Sequence, residues 1–266
     1  MNSPKERLVD EILRFGEMGF DFVEITLEAP AATPEKIMAK RKEIEDALQS
    51  YNFGVLSHYP WYFSVAHPYH RIQEAILKEF CLAFDAASAL GAKKATVHTE
   101  FLPSGIQDRQ VHVAKTIESL KKLEKEAQDR GLQLLVENYS AQSFSIKDFK
   151  LLFSEIDAGM TFDVGHASLP DGEGVENYLE EFRKKILHVH LHDNDKKSDQ
   201  HLPLGAGKID ILKVVKRLKE CYDGTITLEV HSQDRDFLKI SREKLEIAWF
   251  GKKKFLDNQK YLCPSK

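Results

Sequence analysis

Cysteine and long apolar runs are scarce in this chain of 266 residues, and each scarcity excludes a class of protein. The three cysteines, Cys81, Cys221 and Cys263, are an odd number without a CxxC spacing, so neither a disulfide framework nor a zinc ribbon is indicated. No apolar stretch approaches the roughly 18–20 residues that a membrane-spanning helix requires, and the start lacks the apolar core of a signal peptide. We therefore predict a cytoplasmic protein without a membrane partner.

A strong charge of one sign is also missing. The net charge is −4, with 30% charged and 42% apolar residues, which is ordinary for a globular protein and gives no general attraction to nucleic acid. The length suits a (β/α)8 barrel, which typically needs about 250 residues. Because no linker, near-identical repeat or low-complexity tract divides the sequence, we predict one domain over residues 1–266.

The chain does contain six apolar, strand-like runs that each stop at a histidine, an aspartate or a glutamate. These end residues are separated by 40, 39, 26, 27 and 39 positions, and they are His58, His98, Glu137, Asp163, His190 and Glu229. Such steps accommodate one strand and one returning helix, as in parallel βα units. Active sites of (β/α)8 barrels form at the carboxyl ends of the strands, so the pattern predicts an α/β enzyme of the TIM-barrel type.

Helix signals alternate with these runs. Residues 3–6, Ser-Pro-Lys-Glu, have the capping-box pattern and predict a helix that runs from Ser3 to about Gly16. Gly91 and Gly131 follow two long helical segments, where a left-handed C-terminal cap is expected. This alternation favours one α/β architecture over two unrelated domains.

The number of strands is one short of a closed barrel. With Phe22–Leu27 as the first strand the sequence shows seven, whereas a barrel of this type has eight. Either the tail around Lys260–Cys263 fills the gap, or the barrel lacks a strand on that side.

The strand-end side chains predict a metal site. A single histidine or glutamate at a strand end is usually a surface residue, but burying six imidazoles and carboxylates at one rim without a cation would be costly. Three further donors extend the set to nine: His166, on the loop after Asp163, and the pair Asp199 and His201. Mixed nitrogen and carboxylate ligands suit zinc or manganese, and we expect one to three ions.

The most specific stretch of the chain lies around these donors. It is His188-Val189-His190-Leu191-His192-Asp193, followed by Asp-Gln-His-Leu-Pro-Leu-Gly-Ala-Gly-Lys-Ile-Asp at residues 199–210. The stretch resembles the sugar phosphate isomerase/epimerase-like branch of the xylose isomerase-like TIM-barrel superfamily, to which endonuclease IV, the apurinic-site nuclease, also belongs. The resemblance covers nearly the whole chain, from Gly19 to Val230.

The resemblance to endonuclease IV implies a grouping of the nine donors. One zinc would be held at His58, His98 and Glu137. Glu137 would bridge to a second ion that is held also by Asp163, His190 and Glu229, and a third would be held by His166, Asp199 and His201. All nine matching positions carry the expected residue type.

Two enzymatic functions are implied by the resemblance. The first is a divalent-metal-dependent isomerase or epimerase that acts on a small sugar or sugar phosphate, with Glu137 and Glu229 exchanging protons with the substrate. The second is a zinc-cluster phosphoesterase of the endonuclease IV type. Duplex DNA is the disfavoured partner, because the cations on the strand-end loops are scattered among acids. A barrel that only binds a ligand is the third alternative.

Five other residues are predicted to bind the substrate. They are Trp61, Tyr62 and His67, on the loop after His58, together with Asn138 and Lys196. The ketose epimerases of the superfamily carry an arginine where this chain has Lys196, and they use one metal, which leaves the third donor group without a role in that function. His188 is expected to be a hydrogen-bonded core histidine, because it lies two residues before His190 on the same strand face.

Overall fold

The computed structural model describes residues 1–99 and 108–251 and divides into two compact units. The first unit runs from Met1 to Phe162, and the second begins at Asp163. Both units are built from parallel strands followed by helices, in the order that the strand-end pattern predicts. A single domain over residues 1–266 stays a prediction, and the candidate eighth strand at Lys260–Cys263 lies outside the described residues.

The first unit contributes short strands that alternate with helices. The strands are β1 (Phe22–Thr26), β2 (Gly54–His58), β3 (Lys94–His98), β4 (Gln133–Glu137) and β5 (Gly159–Asp163), whose last residue opens the second unit. The helices are α1 (Leu8–Glu17), α2 (Pro34–Ala39), α3 (Arg41–Ser50), α4 (His70–Ala89), α5 (Arg109–Gln128) and α6 (Ile146–Glu155).

Neighbouring strands pair in parallel and in chain order from β1 to β5. The register sets His98 beside Glu137, so the donors that end β3 and β4 reach the same level. Val97 and Val136, which precede these two donors, are completely buried. Their burial fits parallel strands that are covered on both faces. The donors His98 and Glu137 therefore lie where these two strands leave the apolar core.

Two of the helix predictions can be compared with the structure directly. Gly91 and Gly131 have φ values of +82° and +70° after α4 and α5, which confirms both left-handed caps. The predicted start of α1 at Ser3 is wrong, because the helix begins at Leu8. The preceding segment is instead held beside β1, where the side chain of Asn2 accepts a hydrogen bond from the Thr26 N–H at 2.8 Å.

The second unit continues the same alternation. Its elements are α7 (Val164–Ala167), α8 (Val175–Phe182), β6 (Ile186–Leu191), α9 (Ile211–Cys221), β7 (Thr225–Leu228) and α10 (Asp236–Phe250). Strands β6 and β7 are parallel, with His190 beside Thr227. None of the described helices combines the length and the apolar character needed to cross a membrane.

The loop between β6 and α9 is organised by one carboxylate, that of Asp193. Its Oδ2 accepts hydrogen bonds from the N–H groups of Gly205 and Gly207, both at 2.9 Å, and its Oδ1 accepts from Asn194 and Ile209 at 2.8 and 3.0 Å. The backbones of Asp193 and Leu202 also exchange two hydrogen bonds of 2.9 and 2.8 Å. This loop carries Lys196, Asp199 and His201, so Asp193 fixes the segment from which three predicted site residues project.

Candidate metal centre

The donors of the first unit converge at the ends of β2, β3 and β4. Nε2 of His98 lies 3.1 Å from Oε2 of Glu137, and Nε2 of His58 lies 3.7 Å from the same oxygen. The Glu137 carboxylate is completely buried, and the buried Nδ1 of His98 makes no hydrogen bond within the described residues. Ligands of a tetrahedral zinc ion lie roughly 3.3 Å apart, given zinc–nitrogen bonds of about 2.0–2.1 Å. The group therefore has the spacing of metal ligands.

A second group lies in the second unit. Asp163 ends β5, His190 lies in β6 and Glu229 follows β7, and each offers a ligand atom within 4.8 Å of the others. Nδ1 of His190 lies 3.4 Å from Oε1 of Glu229. All three side chains are buried. Two carboxylates and one imidazole in this setting give a site with the negative charge that a divalent cation requires.

The third group combines the turn after β5 with the loop after β6. Oδ2 of Asp199 lies 3.2 Å from Nε2 of His166 and 3.1 Å from Nε2 of His201. Burial works to raise the pKa of Asp199, but the hydrogen bonds with both imidazoles outweigh it and hold that pKa well below its usual range. Burial likewise works to lower the pKa of His201, whereas its bond to Asp199 and the charge of Glu229 raise it to about 9. The group therefore combines a carboxylate that stays charged with imidazoles that approach it from two sides.

A fourth donor of this group, His192, is absent from the sequence-based ligand set. Its Nε2 lies 3.3 Å from Oδ1 of Asp163 and 3.7 Å from Oδ1 of Asp199, and the side chain is completely buried. The ring stacks on that of His201 with a centroid separation of 4.0 Å. The spacing of His188, His190 and His192 by two residues is the signal that could have indicated it, because alternate residues of a strand share one face. The sequence gives no sign that the backbone keeps this direction beyond the end of β6.

The predicted substrate-binding residues lie in different surroundings. Trp61 is 63% exposed and stacks edge-on against the half-exposed Tyr62 at 5.7 Å, while His67 pairs with Tyr69 at 5.8 Å. Asn138 is completely buried directly after Glu137. Lys196 has a left-handed backbone with φ of 62°, and its N–H donates to Asn194 Oδ1 at 2.9 Å. Only Asn138 adjoins a metal-site donor in the chain, and the roles of the others stay predictions.

His188 has the expected core role. Its Nδ1 lies 2.7 Å from the hydroxyl of Thr225, and its Nε2 lies 3.1 Å from that of Thr227. Both hydroxyls belong to β7, so the imidazole joins two neighbouring strands. The prediction of a hydrogen-bonded core histidine is confirmed.

Comparison with known families shows which family has this arrangement of strands and helices. The family model described as xylose isomerase-like TIM barrel matches residues 14–252. The chain belongs to this family. The predicted TIM-barrel fold class and the resemblance are thereby confirmed, including the prediction that most of the chain takes part.

The relatives and structural neighbours of this chain include proteins named as epimerases. The chain is 28% identical over 260 residues to an uncharacterized protein of Methanocaldococcus jannaschii, covering 91% of this chain and 86% of that protein. It is 23% identical over 233 residues to fructoselysine 3-epimerase of Escherichia coli O157:H7, covering 80% and 82%. The crystal structure of a D-tagatose 3-epimerase-like protein superimposes with a TM-score of 0.80 at 26% identity, covering 96% of each chain.

The donors present fit a divalent metal. Histidine ligands of metals usually donate their second N–H to a backbone carbonyl or a carboxylate. Nδ1 of His201 lies 3.0 Å from the carbonyl oxygen of Glu229, and Nδ1 of His192 lies 3.3 Å from that of Asp193. Because a carbonyl oxygen can only accept, each Nδ1 carries a proton and each Nε2 is directed towards the carboxylates. Imidazole nitrogen mixed with carboxylate oxygen suits zinc or manganese.

Proposed function

We propose that this protein is a divalent-metal-dependent epimerase or isomerase that acts on a small sugar or sugar phosphate by proton transfer. The observation that carries the proposal is the buried pair of His190 and Glu229, 3.4 Å apart at strand ends, with Asp163 in the same group. The epimerases among the relatives and structural neighbours support the reaction class, and the donor chemistry supports the metal.

Glu137 and Glu229 are the residues that we assign to proton transfer. A bound divalent ion would supply the polarisation of adjacent carbonyl and hydroxyl oxygens that makes the carbon-bound proton of a sugar acidic. One glutamate then takes this proton, and the other returns a proton to the same carbon, which inverts its configuration. Burial of both carboxylates keeps competing water away from the proton that is moved.

Residues outside the donor groups would hold the rest of the substrate. Asn138 is buried next to Glu137 and offers an amide to a sugar hydroxyl. Lys196 offers a cation to a hydroxyl or a phosphate, and Trp61 and Tyr62 offer aromatic faces to the apolar side of a sugar ring. His67 completes this set as a further hydrogen-bonding group.

Deuterium exchange tests the reaction directly. The protein loaded with manganese or zinc is incubated in D2O with ketoses, ketose phosphates and fructoselysine, and incorporation of deuterium at carbon is followed by mass spectrometry. Glu137→Gln and Glu229→Gln should each slow the exchange by at least roughly a hundredfold, the usual contribution of a general acid or base. Glu180→Gln, at an exposed position of α8, is the matched control. Absence of exchange with every substrate would contradict the proposal.

Phosphoester hydrolysis is a second candidate, favoured by the complete third group of His166, Asp199 and His201. It predicts cleavage of a duplex that contains an abasic site, with a requirement for zinc. Loss of activity in Glu137→Gln is expected for both reactions. The two functions are therefore distinguished by which substrate is turned over. The Glu137→Gln variant cannot distinguish them.

A further inference from the structure

The geometry points to His192 as a fourth ligand that would close the group of His166, Asp199 and His201 into a structural metal site in the second unit. This inference rests on the proposed function only in that Asp163, His190 and Glu229 are assigned to a separate ion, the one that serves catalysis. The four donors offer atoms that all lie within 4.8 Å of one another, and the site would take zinc or another divalent ion that favours nitrogen ligands.

The separations around Asp199 support a tetrahedral ion. Its two oxygens lie 3.2, 3.1 and 3.7 Å from the Nε2 atoms of His166, His201 and His192. The ligand atoms of a tetrahedral zinc site lie roughly 3.3 Å apart. The three measured separations are therefore close to the spacing that a tetrahedral ion requires of its ligands.

His192 is the residue that closes the site. Its buried Nε2 makes no hydrogen bond within the described residues, although carboxylate oxygens of Asp163 and Asp199 lie nearby. With the Nδ1 proton directed at the Asp193 carbonyl, Nε2 is left facing the carboxylates. An ion held between these atoms would be contacted by imidazole nitrogen and by carboxylate oxygen, the mixed ligands that zinc takes.

The absence of a side chain at Gly165 makes room for the imidazole of His192. A Cβ at position 165 would come within 2.0 Å of the imidazole, so only glycine leaves room for the ring there. The neighbouring Asn194 donates from its side-chain amide to the Gly165 carbonyl at 3.0 Å, which joins the turn after β5 to the loop after β6. The position of His192 and the junction of these two segments thus depend on contacts that do not require an ion.

Four protein ligands leave no open position on a tetrahedral ion. Structural zinc sites have this closed coordination, whereas catalytic sites keep one position for water or substrate. His166 belongs to α7 and the other three donors to the loop after β6, so the ion would fasten these two segments together. Stabilisation of the second unit is therefore the role that we assign to it.

The test is metal stoichiometry combined with thermal unfolding. Zinc bound per chain is measured by inductively coupled plasma mass spectrometry for the full protein, for Asp199→Asn and for Asp195→Asn. Asp195 lies in the same loop and bonds the N–H groups of Lys197 and Ser198, so it is the matched control. Asp199→Asn should bind one equivalent less than the full protein, and Asp195→Asn should bind the same amount.

A structural ion must also change stability and local protection. A chelator should lower the Tm of the full protein more than that of Asp199→Asn, and it should speed amide hydrogen exchange in residues 194–208. Should Asp199→Asn fail to fold, His192→Asn serves instead, with zinc affinity lowered at least roughly tenfold in competition with a chelator.

Two results would overturn the site. The first is equal stoichiometry in the full protein and in Asp199→Asn, or unchanged affinity in His192→Asn. The second is loss of one equivalent without any effect on Tm or on exchange in the loop, because the ion would then have no structural role. Neither measurement needs a substrate, so failure of the epimerase proposal leaves this test intact.

Discussion

The imidazole of His192 occupies the space that a side chain at position 165 would need, with its ring 2.0 Å from an ideal Cβ on Gly165. Gly165→Ala should therefore push His192 away from Asp199. We expect about 1–3 kcal/mol of destabilisation from overpacking, and a lower affinity for one equivalent of zinc. Denaturant unfolding and metal analysis check these outcomes.

Gly54→Ala is the control for this substitution. A Cβ at position 54 would lie 3.4 Å from the Cβ of Phe22, which is an ordinary contact. The control should keep both its stability and its zinc content. Equal effects of the two substitutions would show that Gly165 has no special relation to the donor group.

The Asp193 carboxylate accepts four backbone hydrogen bonds, and Asp193→Asn removes one of the two accepting oxygens. Hydrogen bonds to a charged group contribute about 1.5–3 kcal/mol each, so we expect the free energy of unfolding to fall by at least that amount. Limited proteolysis should also cut residues 194–208 faster. Asp195→Asn, which affects only an exposed turn, should leave both measurements unchanged.

Removal of divalent ions should abolish deuterium exchange and lower the Tm together. An ion present at a hundredfold excess over its Kd stabilises the folded state by about 2.7 kcal/mol, and this contribution is lost on chelation. Manganese or zinc should restore both properties. Calcium should not restore them, because it prefers sites built entirely from oxygen ligands. Full activity after exhaustive chelation would contradict the metal dependence.

The contribution of Asp148, at the start of α6, to the free energy of unfolding should depend on pH. Burial works to raise the pKa of Asp148, but bonds with Ser145 and Arg109 outweigh it and lower that pKa below 3.8. The carboxylate therefore stabilises the fold above about pH 4, and this contribution is lost as the pH falls through the lowered value. Asp148→Asn should cost about 0.5–2 kcal/mol at pH 7, as for other helix caps.

The control for this prediction compares the same two proteins at a second pH. The stability difference between the native protein and Asp148→Asn should shrink as the pH is lowered below about 4. The carboxyl group of the unfolded chain is protonated first, and that of the folded protein only below its lowered pKa. Unfolding in urea at pH 7 and at pH 3 provides the measurement. A difference that stays constant would mean that the charge of Asp148 plays no part.

Much of the architecture could be predicted because parallel strands impose a simple rule on the sequence. The residues before the end of β3 and β4 are mostly apolar, so His98 and Glu137 mark the ends of these strands without any knowledge of their contacts. The grouping of His166, Asp199 and His201 came from resemblance to endonuclease IV, since a loop donor has no periodicity to locate it. Their mutual distances agree with that grouping.

Two features could not be obtained from sequence patterns. The motif at Ser3 has the composition of a helix start, but the tertiary contact between Asn2 and Thr26 holds this segment outside the helix. His192 follows the last residue of β6, where alternation no longer determines direction. Its inclusion among the donors depends on the space at Gly165, which belongs to another segment of the chain.

The backbone bridge between Asp193 and Leu202 has an evolutionary consequence. Lys196 and His201, inside the segment that it closes, both have left-handed φ values of 62° and 47°, a conformation that few side chains adopt readily. With both ends anchored and two such residues between them, we expect relatives that retain this bridge to exchange side chains only at the other positions of the segment. We expect a residue gained or lost there to reorient Asp199.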